Sequence, residues 1–214
     1  MKSTWTFVVS LKRSVERRER FEREAQKIGL TDWSFFDAFD GKKMGLGTST
    51  GTSRRTTAYP SPMSPGEIGC YLSHVALWRA CDLAGLSQVT IFEDDVTFDS
   101  DYFKKLETFN SVIRQSGKNI VATHFGTSAK GMPDEVQPIR GEKFIEHRGG
   151  THCTFAYMLT RPAITWIVNH PDIDKMLWPV DGFTHELQKA FPIYGPLEPF
   201  VHQDWGLGRS ELET

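Results

Sequence analysis

A chain of 214 residues that is 39% hydrophobic, with 15 Phe and 6 Trp, carries enough apolar surface for a real core, and residues 1–214 read as a single α/β domain. Its formal net charge of −2 lacks the basic surplus that nucleic-acid binding requires, so nucleic acid is not an expected partner. No apolar run approaches the roughly 18 residues of a spanning helix, and MKSTWTFVVSLKRS is a poor secretory signal. Cys70, Cys81 and Cys153 sit in apolar contexts without a CxxC pair, so the expectation is a cytoplasmic protein with reduced thiols.

Trp5 to Leu11 (WTFVVSL) predicts a strand buried on both faces of a parallel sheet. Ser14 then caps a helix to about Ile28, with Val15, Phe21, Ala25 and Ile28 on one side and Gly29 ending it. The mixed arginines and glutamates of this helix read as a solvated, ion-paired face. Arg13, Arg17 and Arg18 are nearest the carboxyl end of the strand, where open α/β sheets bind ligands, and are therefore candidates for a phosphate contact. Trp33 to Phe39 predicts a second strand, stopped by Asp40-Gly41. Residues 42–64, rich in Gly, Ser, Thr and Pro, form a loop of a length typical of lids, binding loops or disordered insertions.

Ser64-Pro65-Gly66-Glu67 has the pattern of a capping box and starts a helix to about Leu83. Ile68, Leu72, Val75 and Ala76 are expected to face the sheet, with Glu67, Cys70, His74 and Leu77 on a neighbouring strip. By itself Glu67 is explained by the cap, and His74 by a hydrogen-bonded core position. Gln88 to Phe98 (QVTIFEDDVTF) is the central strand, ending in Glu93, Asp94 and Asp95. Three adjacent carboxylates repel one another, and they read either as a solvated turn cluster or as the site of a divalent cation. A helix over 101–116 and a strand over 119–125 follow. Residues 128–150 form an irregular insertion with room for a short hairpin, before a strand over 153–159 and a helix to about Val168. From Pro171 the chain reads as loop-rich, its Trp178, Phe183, Tyr194, Phe200 and Trp205 being mainly core.

The alternation of strands and helices is that of an α/β sandwich. Oxygen ligands at a strand end select Mg²⁺ or Mn²⁺, and no cysteine or histidine stands at zinc-ligand spacing. Such ions bind one or two carboxylates together with substrate phosphates, which implies a nucleotide or another diphosphate. Neither a P-loop nor a kinase motif set is present, which disfavours the common phosphoryl transfers.

Several segments together resemble glycosyltransferase family 25: Ser10-Leu11-Lys12-Arg13, Asp37-Ala38-Phe39-Asp40-Gly41, Ser64 to Cys70 with Ser73-His74, and Phe92-Glu93-Asp94-Asp95-Val96. Ala156 to Arg161 and Pro179-Val180-Asp181 resemble its later blocks. The chain departs from the family at Ser10, commonly Asn, and at Phe92, commonly Leu. The resemblance implies a GT-A-like α/β/α sandwich with a mostly parallel, mixed central sheet, a UDP-sugar donor, most often UDP-galactose, and transfer with inversion. It implies Mn²⁺ or Mg²⁺ on Asp95 with Glu93 or Asp94, and Asp181 as the base. Glu67, Ser73 and His74 become contacts to donor or acceptor, while Arg13, Arg17, Asp37, Ala38, Asp40 and Gly41 form the nucleotide seat. His202 and Asp204 are candidates for a third metal ligand or an acceptor contact. A glycan such as lipooligosaccharide is the implied acceptor, with peripheral association at the inner membrane. The rivals are a carbohydrate-binding protein on a transferase fold and a nucleotide-sugar hydrolase.

Overall fold

The computed structural model of the protein describes residues 4–46, 62–126, 136–138, 144–147 and 154–204. Strands β1 (Thr4–Ser10), β2 (Ser34–Asp37) and β3 (Gln88–Glu93) are parallel neighbours with β1 in the middle. Strand β8 (Ala156–Thr160) inserts antiparallel between β3 and β5 (Ala122–His124), and β9 (Ile193–Pro196) continues beside β5 in parallel. A hairpin of β6 (Val136–Pro138) and β7 (Phe144–His147) completes the eight-stranded sheet, in the order β2-β1-β3-β8-β5-β9-β7-β6. Strands β2, β1, β3, β5, β9 and β6 run one way and β8 and β7 the other, so the sheet is mixed with one dominant direction.

Helices cover both faces. Helix α2 (Pro65–Leu83), α4 (Arg161–Val168) and α5 (Val180–Ala190) bury Tyr71, Val75, Trp78, Ile164, Phe183 and Leu187 against Val9, Ile91, Tyr157 and Leu159. On the other face α1 (Val15–Ile28) and α3 (Tyr102–Gln115) bury Phe21, Phe109 and Ile113 against Val8, Phe92 and Met158. Consecutive strand residues such as Val8 and Val9 thus serve opposite cores, as the pleat dictates. The result is the expected α/β/α sandwich.

The local signals act as expected at the helix ends. Ser64 and Glu67 form a complete capping box, with Pro65 in the first turn. Gly29 ends α1 at φ 74°, a left-handed conformation that other residues adopt at a cost.

Three expectations need correction. Helix α2 buries Ile68 and Val75, but Leu72 and Ala76 are only half-buried, whereas Tyr71, Leu77 and Trp78 are buried. The helix packs against α4 and α5 as well as the sheet, so its apolar face is wider than one stripe. The stretch over 88–98 is two strands, because a turn at Asp94–Asp95 sends β4 (Val96–Phe98) out of the main sheet to pair antiparallel with β10 (Val201–Gln203). The supposedly loop-rich tail supplies α5, β9 and β10, and buries Phe183, Tyr194 and Phe200. The short hairpin for which the 128–150 insertion has room is present as β6 and β7, which join the sheet. Most of the 42–64 loop, together with Cys153 and Trp205, lies outside the described residues.

Candidate active site

The carboxyl ends of β1, β2 and β3 open on a cleft with about 680 Å³ of empty space, its open mouth included. Ser10 and the following turn to Arg17 form one wall, and the 38–42 loop another. Gly66, Cys70, Ser73 and His74 of α2 face the acids Glu93, Asp94 and Asp95. Parallel strands of an open sheet end their hydrogen-bond ladders here together, which leaves side chains and loop backbone free for a ligand.

Each acid has a different environment. Asp94 is buried, accepts from the Ser10 hydroxyl at 2.6 Å and from Arg17 Nε at 2.7 Å, and also pairs with Arg17 Nη2. Burial still holds its carboxyl above the ordinary carboxylate value, against the pull of Arg17. Asp95 accepts from Gln203 Nε2 at 3.1 Å through Oδ2, which also lies 3.2 Å from Arg17 Nη2. Its Oδ1 is buried and has no hydrogen-bond donor among the described residues. Burial, then the charge of Glu93, push the Asp95 carboxyl up to about 6. Glu93 accepts from the Thr154 hydroxyl at 2.7 Å and lies 3.5 Å from His74 Nε2.

A buried carboxylate oxygen with no donor, held among other acids, is the kind of group a hard divalent cation satisfies, and Asp95 Oδ1 fits that role. Both oxygens of Asp94 already accept, Oδ2 from Ser10 and Oδ1 from Arg17. Glu93 faces His74 and Thr154.

The remaining candidates divide into those at the cleft and those held elsewhere. Arg13 lines the cleft and pairs with Asp40 at 2.6 Å, keeping that carboxyl below its usual range. Ala38 and Gly41 line it through the loop that α2 supports. A Cβ on Gly41 would stand 1.8 Å from Pro65 O, and one on Gly69 would stand 2.6 Å from Phe39 O, so the loop and helix touch backbone to backbone. Ser73 fastens this contact by accepting from Phe39 N at 2.8 Å and donating to Gly69 O at 2.6 Å. It positions the loop.

Asp37 is paired with Arg18 at 2.6 Å and is over half exposed. Glu67 serves the capping box, as its local pattern alone predicted. Asp181 sits in the first turn of α5, half-buried, and its charge is among those that raise the Cys70 thiol above its ordinary value, after burial and Glu93. His202 is not brought to the acids: strand alternation in β10 turns it toward Asp99, at 2.9 Å, and turns Gln203 toward Asp95 instead. Asp204 pairs with Arg20, and its backbone N–H donates to Asp95 O at 2.8 Å.

Sequence reasoning missed Ser10, Thr154, Gln203, Tyr157 and Cys70 at this site. The first four carry no local signal, since each meets its partner only through tertiary packing. Cys70 had one: it stands one helical turn before His74, and the two ligand atoms lie with that of Glu93 within 4.8 Å of one another. The expectation that cysteine and histidine show no ligand spacing is corrected on this point.

A three-layer α/β sandwich with an acid cluster at the carboxyl end of its central strand has the layout of a glycosyltransferase. The chain belongs to glycosyltransferase family 25, described as "Glycosyltransferase family 25 (LPS biosynthesis protein)", which its residues 3–183 match. It is 30% identical over 186 residues to a "Glycosyltransferase 25 family member" of Drosophila melanogaster, covering 83% of this chain and 29% of that protein. It is 24% identical over 193 residues to "Procollagen galactosyltransferase 1-A" of Xenopus laevis, covering 87% of this chain and 31% of the relative. A Bos taurus relative, 28% identical over 183 residues with 83% of this chain and 30% of that one covered, is described as "Probable inactive glycosyltransferase 25 family member 3". The chain thus spans under a third of the length of these relatives. Among solved structures, a glycosyltransferase involved in glycosylation of the major capsid of PBCV-1 aligns over 99% of this chain and 97% of that one, with a TM-score of 0.42 and 10% identity.

Proposed function

We propose that the chain is an inverting, metal-dependent transferase that moves a hexose, galactose from UDP-galactose in the simplest case, onto a glycan hydroxyl. The observation that carries this reading is Asp95 Oδ1, buried without a donor at the floor of the cleft. Mn²⁺ or Mg²⁺ held there would neutralise charge building on the departing diphosphate.

The chain's own residues supply the rest. Arg17 and Arg13 line the cleft and would orient the diphosphate through charge-assisted hydrogen bonds. The 38–41 loop, pinned to α2 by Ser73 and the Gly41–Gly69 contact, seats the nucleoside. Asp181 takes the proton of the acceptor hydroxyl as its oxygen bonds to the anomeric carbon, and the bond to the diphosphate breaks with its electron pair leaving on UDP. His74, fully buried, positions Glu93 and is not assigned a proton-transfer step. A glycan such as lipooligosaccharide is the acceptor in this reading, in keeping with the family description as an LPS biosynthesis protein, and it would put the protein at the cytoplasmic face of an inner membrane. Among the described residues no helix is long and apolar enough to cross a membrane.

The test is UDP release from UDP-, GDP- and CMP-sugars with Mn²⁺, with and without glycan acceptors. UDP-galactose is expected to turn over, and chelator, Asp95→Asn and Asp181→Asn each to abolish transfer, with Asp181→Asn still binding UDP. Binding of a glycan without turnover of any donor would favour the non-catalytic reading, which the inactive relatives keep open. Turnover to free sugar, unchanged by any acceptor, would favour a hydrolase.

A further inference from the structure

We propose that Cys70, His74 and Glu93 form a second cation site in this cleft, selective for a borderline-soft divalent ion such as Zn²⁺. Cys70 and His74 are one turn apart on the same face of α2, and Glu93 ends the strand that this face covers. One thiol, one imidazole and one carboxylate atom lie within 4.8 Å of one another, close enough for a small shift to bring all three onto one ion. This donor set suits zinc, whereas the all-oxygen environment of Asp95 suits magnesium or manganese.

The second observation is the state of His74. Its side chain is 0% exposed, yet Nε2, the atom aimed at Glu93, has no hydrogen-bond partner among the described residues. The other ring nitrogen is fixed: Nδ1 lies 2.7 Å from the Tyr157 hydroxyl, which also accepts from Trp78 Nε1 at 2.9 Å. The phenolic O–H can donate to Nδ1 while its oxygen accepts from Trp78, or the oxygen can accept from both; either way the network holds the ring with Nε2 facing the cleft. Orientation of a histidine through its remote nitrogen is the usual support for a metal ligand. Thr154 orients Glu93 in the same way, by donating to Oε1 at 2.7 Å. Nε2 lies 3.5 Å from the Glu93 carboxylate, and a cation that displaces any proton on Nε2 would bridge the two.

All three residues line the cleft, so the ion keeps an open position toward it. Cys70 would bind as a thiolate, releasing its proton to solvent. The expected consequence is inhibition of transfer by Zn²⁺, since the ion occupies space the substrates must enter. The site stands on Cys70, His74 and Glu93 alone and does not depend on the transferase reading.

The experiment uses the full chain, freed of metal by chelator and dialysis, and titrates it with Co²⁺ as a coloured substitute for zinc. A thiolate-to-cobalt band in the near ultraviolet, one equivalent per chain and bleached by Zn²⁺, is expected. Asp95→Asn should keep the band and Cys70→Ser should lose it. Independently of any variant, Zn²⁺ but not Mg²⁺ should slow alkylation of Cys70 in the unmodified chain, read by peptide mass, by about tenfold or more. Absence of the thiolate band together with an alkylation rate indifferent to Zn²⁺ would overturn the proposal, making His74 and Glu93 a simple hydrogen-bonded pair and leaving the transferase reading intact. Zinc binding without any nucleotide-sugar turnover would do the reverse.

Discussion

Replacing Asp95 by Asn tests whether the cleft keeps a charge that the metal-free fold disfavours. Burial and Glu93 lift the Asp95 carboxyl from 3.8 to about 6. At 1.36 kcal/mol for each tenfold in proton affinity, that rise makes the ionised group cost the folded state about 3 kcal/mol. The sign follows from proton binding. Between about pH 4 and about pH 6 the folded chain still holds this proton while the unfolded chain has released it, so stability falls as pH rises through that window. Above it the cost is present in full. Asn cannot ionise, but it leaves an amide N–H₂ without an acceptor in a buried place at a cost of about 1–3 kcal/mol, so we expect a net gain of about 0–2 kcal/mol at neutral pH and a loss of about 1–3 kcal/mol below about pH 4. Urea denaturation of both proteins in chelator, across this pH range, measures the difference and cancels the titration of acids remote from Asp95. Adding Mn²⁺ should stabilise the unmodified chain alone, by about 2.7 kcal/mol at a hundredfold excess over Kd. An Asn variant less stable than the parent at neutral pH, or a difference that does not change with pH, would refute the reasoning.

Arg17→Ala leaves buried Asp94 with Ser10 as its remaining described partner and should cost about 3–5 kcal/mol at neutral pH, less in acid where Asp94 protonates, as denaturation at two pH values would show. Gly69→Ala puts a methyl 2.6 Å from Phe39 O and 2.9 Å from Gly41 N. The displaced loop should cost about 1–3 kcal/mol and raise KM for the donor more than it lowers kcat. Ser64→Ala removes the acceptor for Glu67 N and should lower stability by about 1 kcal/mol, measured by thermal or urea unfolding, with UDP binding unchanged.

What the sequence disclosed was what neighbouring residues decide. The Ser64 cap, the Gly29 stop and the apolar run ending in Glu93 are local, and each falls where the pattern predicts. Arg13 and Arg17 were found from their place after the first strand, and both line the cleft. The tail was misread because β9 and β10 are short and follow proline and glycine, so their strand character comes from β5, β7 and β4, distant in sequence. For the same reason His202 looked like a ligand and Gln203 did not: only the register of β10 on β4 decides which of them faces Asp95. The Cys70–His74 spacing was visible on the helix, but nothing local places Glu93 opposite it.

The insertion of β8 between β3 and β5 has a consequence for synthesis. Strand β3 meets β1 early, but its other edge, carrying Val89 and Ile91, waits for residues 156–160 to leave the ribosome. At about 5–20 residues per second that wait is on the order of seconds. Throughout it an apolar strand edge stands open, able to recruit the same edge of another nascent chain. Glu93, Asp94 and Asp95 follow the apolar run directly, and charge flanking an apolar strand is the kind of neighbour that discourages such pairing.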